Sequence, residues 1–293
     1  MQLKSIWVDR GEAQDKLGQD DSSGSWKLAA ISRSASLGVG DNHGSFWLVL
    51  RGSAQIDCRE GRLLLNAGEW IALDRDSRPT LLAGRRSLAL AMLLPATSGS
   101  ALDQPGLPTL YPGRGTISRR NRRIALHLWR RAAKTTEADP SATVRCAVHF
   151  LMSLQEGLLS FVDRCPGRSL WRKRQVFARM QRARLHLDGN LNRTVTLSEL
   201  AQLSNFSVWY FTKTFHAIYG EGPRETLSRT RLHQASMLLE NTSLSVGEVG
   251  AACGFENPCS FSRAFRAHYG TTASHYRASR RSAGGMWCEA AAG

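Results

Sequence analysis

The sequence predicts an α+β protein of two domains, with a strand-rich front and an all-helical back. Its 293 residues leave room for about two domains. Apolar residues alternate or form short runs over residues 25–94, whereas from residue 117 onward they recur at helical spacing. The formal net charge of +15 is also concentrated in the second half. Together these observations predict a neutral sheet domain followed by a basic helical domain.

The front domain is predicted to be a small antiparallel barrel or sandwich. Its apolar segments SFWLVLRG, SAQIDCRE, LLLNAGEWIALD and SLALAMLLP are short and are bounded by glycine-containing turns. This pattern is typical of small all-β folds. Residues 95–116 hold four of the nine prolines and four glycines, which predicts a loop or linker rather than a core element.

Two amphipathic helices are predicted next, within residues 117–167. In the second of them, SATVRCAVHFLMSLQEGLLSFVDRC, apolar residues recur at helical spacing. Such helices either cover the front sheet or form a dimer seam, and the residues leave both alternatives open. The arginines at 119, 120, 122 and 123 contact phosphates or an acidic partner, or form a solvated helix face.

Charge is distributed unevenly along the chain. Residues 1–109 carry 12 Lys and Arg against 12 Asp and Glu, whereas residues 168–281 carry 17 against 7. A basic back half indicates a polyanionic partner such as nucleic acid. The absence of a signal-like start and of any long apolar run predicts a cytoplasmic protein without a membrane partner.

The six cysteines are predicted to be free thiols. None forms a C-x-x-C pair, and no histidine lies at zinc-ligand spacing from two of them. A redox-sensing role for Cys253 or Cys259 is the alternative. We expect no metal and no cofactor, because His43 is the only histidine before residue 127.

A pattern of two short helices occurs twice, fifty residues apart. The repeat aligns four pairs of residues: Phe211 with Phe261, Phe215 with Phe265, Tyr219 with Tyr269 and Gly220 with Gly270. Each copy opens at a capping residue, passes a tight turn and ends in Phe-x-x-x-Phe, whose two rings share one helix face. The expected inward residues of the first helices are Leu200, Ala201 and Leu203, and Val249, Ala252 and Cys253. Each copy is therefore predicted to be a helix-turn-helix.

The second helix of such a unit enters the DNA major groove with its outward face. The residues predicted to contact DNA are Ser207, Trp209, Thr212 and Lys213 in the first copy, and Cys259, Ser260, Arg263 and Arg266 in the second. Arg263 is the strongest candidate, since a guanidinium can bond bidentately to guanine. A helix over residues 223–240 would span about 27 Å between the copies.

Residues 196–277 closely resemble the tandem helix-turn-helix domain of the AraC/XylS transcription regulators. The resemblance rests on LSELAQLSNFSVWYFTKTFHAIYG, on Arg231, Ala235, Leu238 and Leu239 of the linker, and on GFENPCSFSRAFRAHYG with Tyr276-Arg277. It implies binding to promoter DNA, activation through RNA polymerase, and an N-terminal cupin-like β-barrel with dimerisation helices and a small-molecule effector. Trp26, His43, Phe46, Trp47 and Trp70 would line the effector pocket, or the aromatics would form plain core.

These observations predict a DNA-binding transcription regulator that is not an enzyme, an activator by resemblance, and a homodimer. The expected domains are a sensor barrel at 1–116, a dimerisation and linker segment at 117–167, a DNA-binding domain at 168–281 and a tail at 282–293. A cupin-type enzyme with a basic appendage is disfavoured by the missing metal ligands. A protein-binding helical module is disfavoured by the excess of arginine and lysine.

Overall fold

The computed structural model describes residues 3–17, 25–40, 43–94, 110–134 and 141–280, in which eleven strands precede nine helices. The strands are β1 (Leu3–Val8), β2 (Ala13–Leu17), β3 (Trp26–Ser32), β4 (Ser36–Val39), β5 (Gly44–Arg51), β6 (Ser53–Cys58), β7 (Gly61–Asn66), β8 (Glu69–Leu73), β9 (Thr80–Ala83), β10 (Leu88–Leu94) and β11 (Gly113–Thr116). The helices are α1 (Arg119–Lys134), α2 (Ser141–Ser153), α3 (Glu156–Asp163), α4 (Leu170–Gly189), α5 (Leu197–Leu203), α6 (Val208–Tyr219), α7 (Pro223–Asn241), α8 (Val246–Ala252) and α9 (Pro258–Tyr269).

The strands form two sheets, a six-stranded one in the order β1-β3-β10-β5-β8-β11 and a five-stranded one in the order β2-β4-β9-β6-β7. Pairs among residues 25–94 are antiparallel, as predicted. β1 and β2, which the sequence analysis did not assign, pair in parallel with β3 and β4. The two sheets remain separate among the described strands, so the barrel expected from the resemblance is not confirmed.

Two apolar cores lie on opposite faces of the six-stranded sheet. Along β5, Trp47 and Val49 face the core between the two sheets, whereas Phe46 and Leu48 face the helices. This follows from the alternation of side chains along a strand. The outer core takes in Ala125 of α1 and several residues of α2, so these helices cover the sheet.

The segment predicted to be a linker contributes to the core at its C-terminal end. Tyr111 is buried, and β11 pairs with β8, so the prediction of a loop is wrong for residues 111–116. The rest of that segment, residues 95–109, lies outside the described ranges. Gln155 donates to the Tyr111 carbonyl at 2.8 Å and accepts from its N–H at 2.9 Å. It lies between α2 and α3, where a continuous helix was expected.

Helix α4 joins the two halves of the protein. Its Leu185 belongs to the core between the sheets, while Phe177 and Met180 belong to the core of the first helical repeat. Arg182 lies within ion-pair distance of Glu60, Asp74 and Asp76. No helix in the described ranges combines the length and apolar character needed to cross a lipid bilayer.

Candidate nucleic-acid interface

The first helix-turn-helix consists of α5 and α6. Thr196 and Ser207 cap the two helices by accepting bonds from the N–H groups of Glu199 and Tyr210. Phe211 and Phe215 are fully buried with ring centroids 5.5 Å apart, as the shared helix face predicts. The opposite face of α6 is therefore left on the surface.

The second helix-turn-helix, α8 and α9, repeats this arrangement. Phe261 and Phe265 are fully buried with centroids 5.6 Å apart. Val249 and Cys253 are buried as expected, but Ala252 is exposed. The prediction that Ala252 faces inward is wrong. The short helix instead buries Gly250, where a β-carbon would lie 3.0 Å from the Phe261 ring.

The predicted contact residues of α6 share its outer surface. Trp209 is 69% exposed, and the Lys213 ammonium lies 4.9 Å from the centre of its ring. Thr212 is partly exposed, and its hydroxyl donates to the Val208 carbonyl. The hydroxyl of Ser207 is used for capping, so this residue has a structural role as well as an exposed position.

The predicted contact residues of α9 are all exposed, namely Cys259, Ser260, Arg263 and Arg266. Arg263 Nε lies 3.4 Å from the Cys259 carbonyl, and the described residues provide no carboxylate partner for its guanidinium. Asn257 accepts from the Cys259 N–H at 2.8 Å, and Pro258 occupies the first turn, which fixes the start of the helix. The outer face of α9 is thus polar and basic.

The long helix α7 holds the two repeats together through Arg231. Its guanidinium donates to the carbonyls of Leu191 and Arg193, at 2.7 and 2.8 Å, just before the first repeat. It also lies 5.9 Å from the Phe255 ring in the turn of the second repeat. Gly254, in this turn, has a φ of +78°, and a β-carbon there would lie 2.2 Å from the Leu191 carbonyl oxygen.

Sequence reasoning missed the role of Arg231 as a brace. The only available signal was its position in the linker motif of the family resemblance. The network around Arg182 was also missed, because no sequence pattern relates residue 182 to residues 60, 74 and 76. Both roles depend on contacts between residues far apart in the chain.

An ion-pair cluster lies at the start of the first repeat. The Arg193 guanidinium bonds both carboxylate oxygens of Glu199, and His186 Nε2 lies 2.7 Å from the same group. The bonds from Arg193, and then those from His186, lower the pKa of Glu199 from 4.5 to about 2. Glu199 is therefore ionised at neutral pH.

The cysteines of the second repeat occupy different environments. Burial raises the pKa of the Cys253 thiol to about 11, which keeps it protonated and disfavours the redox alternative for this residue. Cys259 is exposed on the outer face of α9. A molecule bound to that face would therefore contact the Cys259 sulfur.

The aromatic residues considered for an effector pocket do not meet at one site. Trp26, Phe46 and Trp70 belong to the core under α1 and α2, and the last two stack at 5.3 Å. Trp47 points to the opposite face of the sheet. His43 is also buried. Their division between two cores favours the plain-core alternative.

Comparisons with known proteins match the helical half. Residues 200–279 match the model of a protein family whose description is "Helix-turn-helix domain". The transcriptional activator AarP of Providencia stuartii is 31% identical over 93 residues, which are 32% of this chain and 69% of AarP. The lactose operon transcription activator of Staphylococcus xylosus is 30% identical over 91 residues, 31% of this chain and 33% of that protein.

Among solved structures, the DNA-binding domain of AdpA in complex with a target DNA is 33% identical. The match covers 31% of this chain and 83% of that chain, with a TM-score of 0.30. The chain spans only about a third of the length of the staphylococcal relative, but more than two thirds of AarP. By its match to AarP and to the helix-turn-helix model, this chain belongs to the AraC family of transcriptional regulators.

Proposed function

We propose that this protein is a sequence-specific DNA-binding transcription regulator that reads two successive major-groove segments with α6 and α9. The observation that carries the proposal is the pair of helix-turn-helix units, each with a capped second helix whose outer face is exposed. Helix α7 has 19 residues, which is about 28 Å at about 1.5 Å per residue. This is close to the roughly 34 Å of one DNA turn.

The outer faces offer the chemistry that such reading requires. Arg263 supplies a guanidinium for guanine, while the Trp209 ring and the Thr212 methyl supply apolar surface for a thymine methyl group. Lys213 and Arg266 are suited to phosphates. The net excess of ten basic residues over residues 168–281 would add binding that is independent of sequence and sensitive to salt.

Activation is the direction of control that the relatives support, since AarP and the staphylococcal protein are both named transcription activators. An activator of this kind would contact RNA polymerase once bound to promoter DNA. It would act in the cytoplasm, where bacterial DNA lies, and we propose no catalytic activity for it.

The front half is proposed to supply dimerisation and a signal input. The outward face of α1 carries arginines at 119, 120 and 123, so a two-fold seam through this face would bring like charges together. The exposed face of α2, with Cys146 and His149, carries a single arginine, Arg145, and so brings fewer like charges together. Light scattering should give twice the chain mass, and oxidation should link Cys146 to its copy if two α2 helices meet. A monomer at every concentration would contradict the dimer.

The experiment that tests the DNA-binding function is selection of bound duplexes from a random pool by the full chain at two salt concentrations, followed by sequencing. We expect enrichment of a bipartite motif whose halves are about ten base pairs apart. A Trp209→Ala, Arg263→Ala double variant should lose the motif while keeping salt-sensitive binding. Salt-sensitive binding of the unaltered chain without any motif would contradict sequence-specific reading, and salt-insensitive binding would favour a protein-binding module.

A further inference from the structure

A cleft of about 820 Å³ lies beside the first repeat, between it and the sheet domain. Its walls come from the loop between β8 and β9, from the segment that leads into α4, from the first turns of α4, and from the start of α6. The volume is within the range of about 300–1,000 Å³ that small-molecule sites occupy. Gly167, on the rim, has a φ of +147°, which lets the chain turn closely over α4.

The cleft is strongly basic. Arg75 comes from the sheet domain, and Arg168, Arg172 and Arg179 come from α4 and the residues before it. None of the described lining residues is acidic, and within the described ranges none of these four guanidiniums pairs with a carboxylate. Four uncompensated positive charges around one cavity favour a ligand with several negative charges over a single carboxylate.

Aromatic rings form the other part of the wall. Phe206, in the turn before α6, and Tyr210, in the first turn of α6, have ring centroids 4.9 Å apart. The Arg179 guanidinium lies 5.5 Å from the Phe206 ring. Trp171, in the first turn of α4, is 52% exposed. Trp171 is thus exposed, whereas Phe206 and Tyr210 are partly exposed. Accessible ring surface beside guanidiniums is suited to stacking a planar heterocycle.

We propose that this cleft binds a small nucleotide, with its phosphates on the arginines and its base stacked on the aromatic wall. Duplex DNA offers the same phosphates, but its bases are stacked inside the helix and would leave the aromatic wall unused. A free nucleotide satisfies both halves of the cleft. The nucleotide would be the signal that the protein senses. Only its effect on DNA binding rests on the proposed function, because binding of the nucleotide itself needs no DNA.

The consequence follows from where the cleft lies. Phe206 and Tyr210 flank Ser207, the capping residue of α6, so a base stacked on them would bear directly on the start of the first reading helix. Arg75 would tie the same ligand to the sheet domain. Binding in the cleft would therefore couple the position of the sheet domain to DNA affinity.

The test is isothermal titration calorimetry of the full chain without DNA, using ATP, GTP and cyclic di-GMP. Tripolyphosphate lacks the base and adenosine lacks the phosphates, so both should bind much more weakly than the best nucleotide. Arg168→Ala and Arg172→Ala should each weaken the binding of that nucleotide at least about tenfold, since each removes a hydrogen bond between a guanidinium and a phosphate. Arg120→Ala, on the exposed face of α1, is the matched control and should bind normally.

Each outcome bears on the proposal. Failure of all three nucleotides to bind below about 1 mM overturns it. Equal binding of tripolyphosphate and the nucleotides also overturns it, because the cleft would then hold phosphate alone, as a DNA backbone would supply. Unchanged affinity in both arginine variants would place the nucleotide elsewhere on the protein. All these readouts are obtained without DNA, so they are independent of whether the duplex selection succeeds.

Discussion

The outward residues of α6 and α9 differ in chemistry, although the helices bury the same pair of phenylalanines. Helix α6 presents a tryptophan that lies under a lysine, whereas α9 presents Arg263 and Arg266 with two small side chains. The first surface suits apolar contact with thymine, and the second suits hydrogen bonding to guanine. We therefore expect the two halves of the operator to differ in sequence.

Replacing Arg263 by alanine should relax specificity at one position of the operator half that α9 reads. The loss of a bidentate contact should reduce discrimination there by about 1–3 kcal/mol. The measurement is the affinity for a set of operators changed at each position in turn. Arg120→Ala serves as the charge-matched control, and an equal loss on every sequence would mean that Arg263 contacts only phosphate.

Glu199 should make stability depend on pH in the acid range. Its pKa is lowered from 4.5 to about 2 in the folded chain, mainly by Arg193. Stability from this group is therefore fully present above about pH 4.5 and is lost as the pH falls toward 2. Urea unfolding at pH 6 and pH 3 should show a smaller acid loss in Glu199→Gln than in the unaltered chain. The same acid loss in both would contradict the assignment.

At the scale of elements, α5 and α8 occupy equivalent positions but are capped differently. In α8, Ser245 and Glu248 bond each other's backbone N–H groups in a complete capping box. In α5, the Thr196 hydroxyl accepts from the Glu199 N–H, as Ser245 does in α8. The Glu199 carboxylate, however, bonds Arg193 and His186 instead of the backbone N–H of Thr196. The first repeat therefore lacks one bond of the capping box, and its glutamate instead connects α5 to the C-terminal end of α4.

Ser245→Ala should destabilise the second repeat by about 1 kcal/mol, since it removes the capping acceptor of α8. Chemical unfolding of the full chain measures the change. Ser243→Ala, two residues earlier and exposed, is the control and should have little effect. Equal stability of the two variants would show that the capping box contributes nothing measurable.

The close packing of α8 against α9 requires a small residue at position 250. An alanine would be the better helix former at this position by about 1 kcal/mol. Its β-carbon, however, would lie 3.0 Å from the Phe261 ring, so the glycine lets α8 approach α9 closely. The glycine at this position therefore has a steric reason.

At the scale of the whole molecule, the two halves meet along α4. Glu60 is completely buried beside Arg182, which also lies 3.1 Å from Asp74. The Asn190 amide donates to the Glu60 carbonyl, and a β-carbon on Gly189 would lie 2.6 Å from that oxygen. The sheet domain is therefore held against the DNA-binding half by charge and by close backbone contact.

Arg182→Met should destabilise the chain by about 3–5 kcal/mol, because it leaves the buried Glu60 carboxylate without a cation. Adding Glu60→Gln should restore part of this loss. Thermal unfolding of both variants measures the loss of stability and its recovery. Arg62→Met is the control and should have little effect, because Arg62 pairs with Asp57 on the surface. No rescue by the second substitution would contradict the role of Glu60.

The helical half was predictable in detail because its signals are local. The capping residue that opens each copy, the tight turn and the Phe-x-x-x-Phe spacing all reflect neighbours within a few positions. The front half was predictable only as antiparallel strands. Nothing near residues 3–17 indicates that they pair in parallel with strands twenty residues later, and Tyr111 gives no local sign that Gln155 will bind it.

The sequence alone determined the class of this protein: two helix-turn-helix units fifty residues apart, a basic surface around them, and a neutral strand-rich half in front. Helical periodicity and capping act over three or four residues, so a single chain displays them directly. Only the tertiary structure decided which aromatics share a core, how Arg231 braces the two repeats and Arg182 the two halves, and that four arginines and three rings surround one cleft. These depend on contacts across tens of residues of chain, which follow from packing rather than from any local pattern.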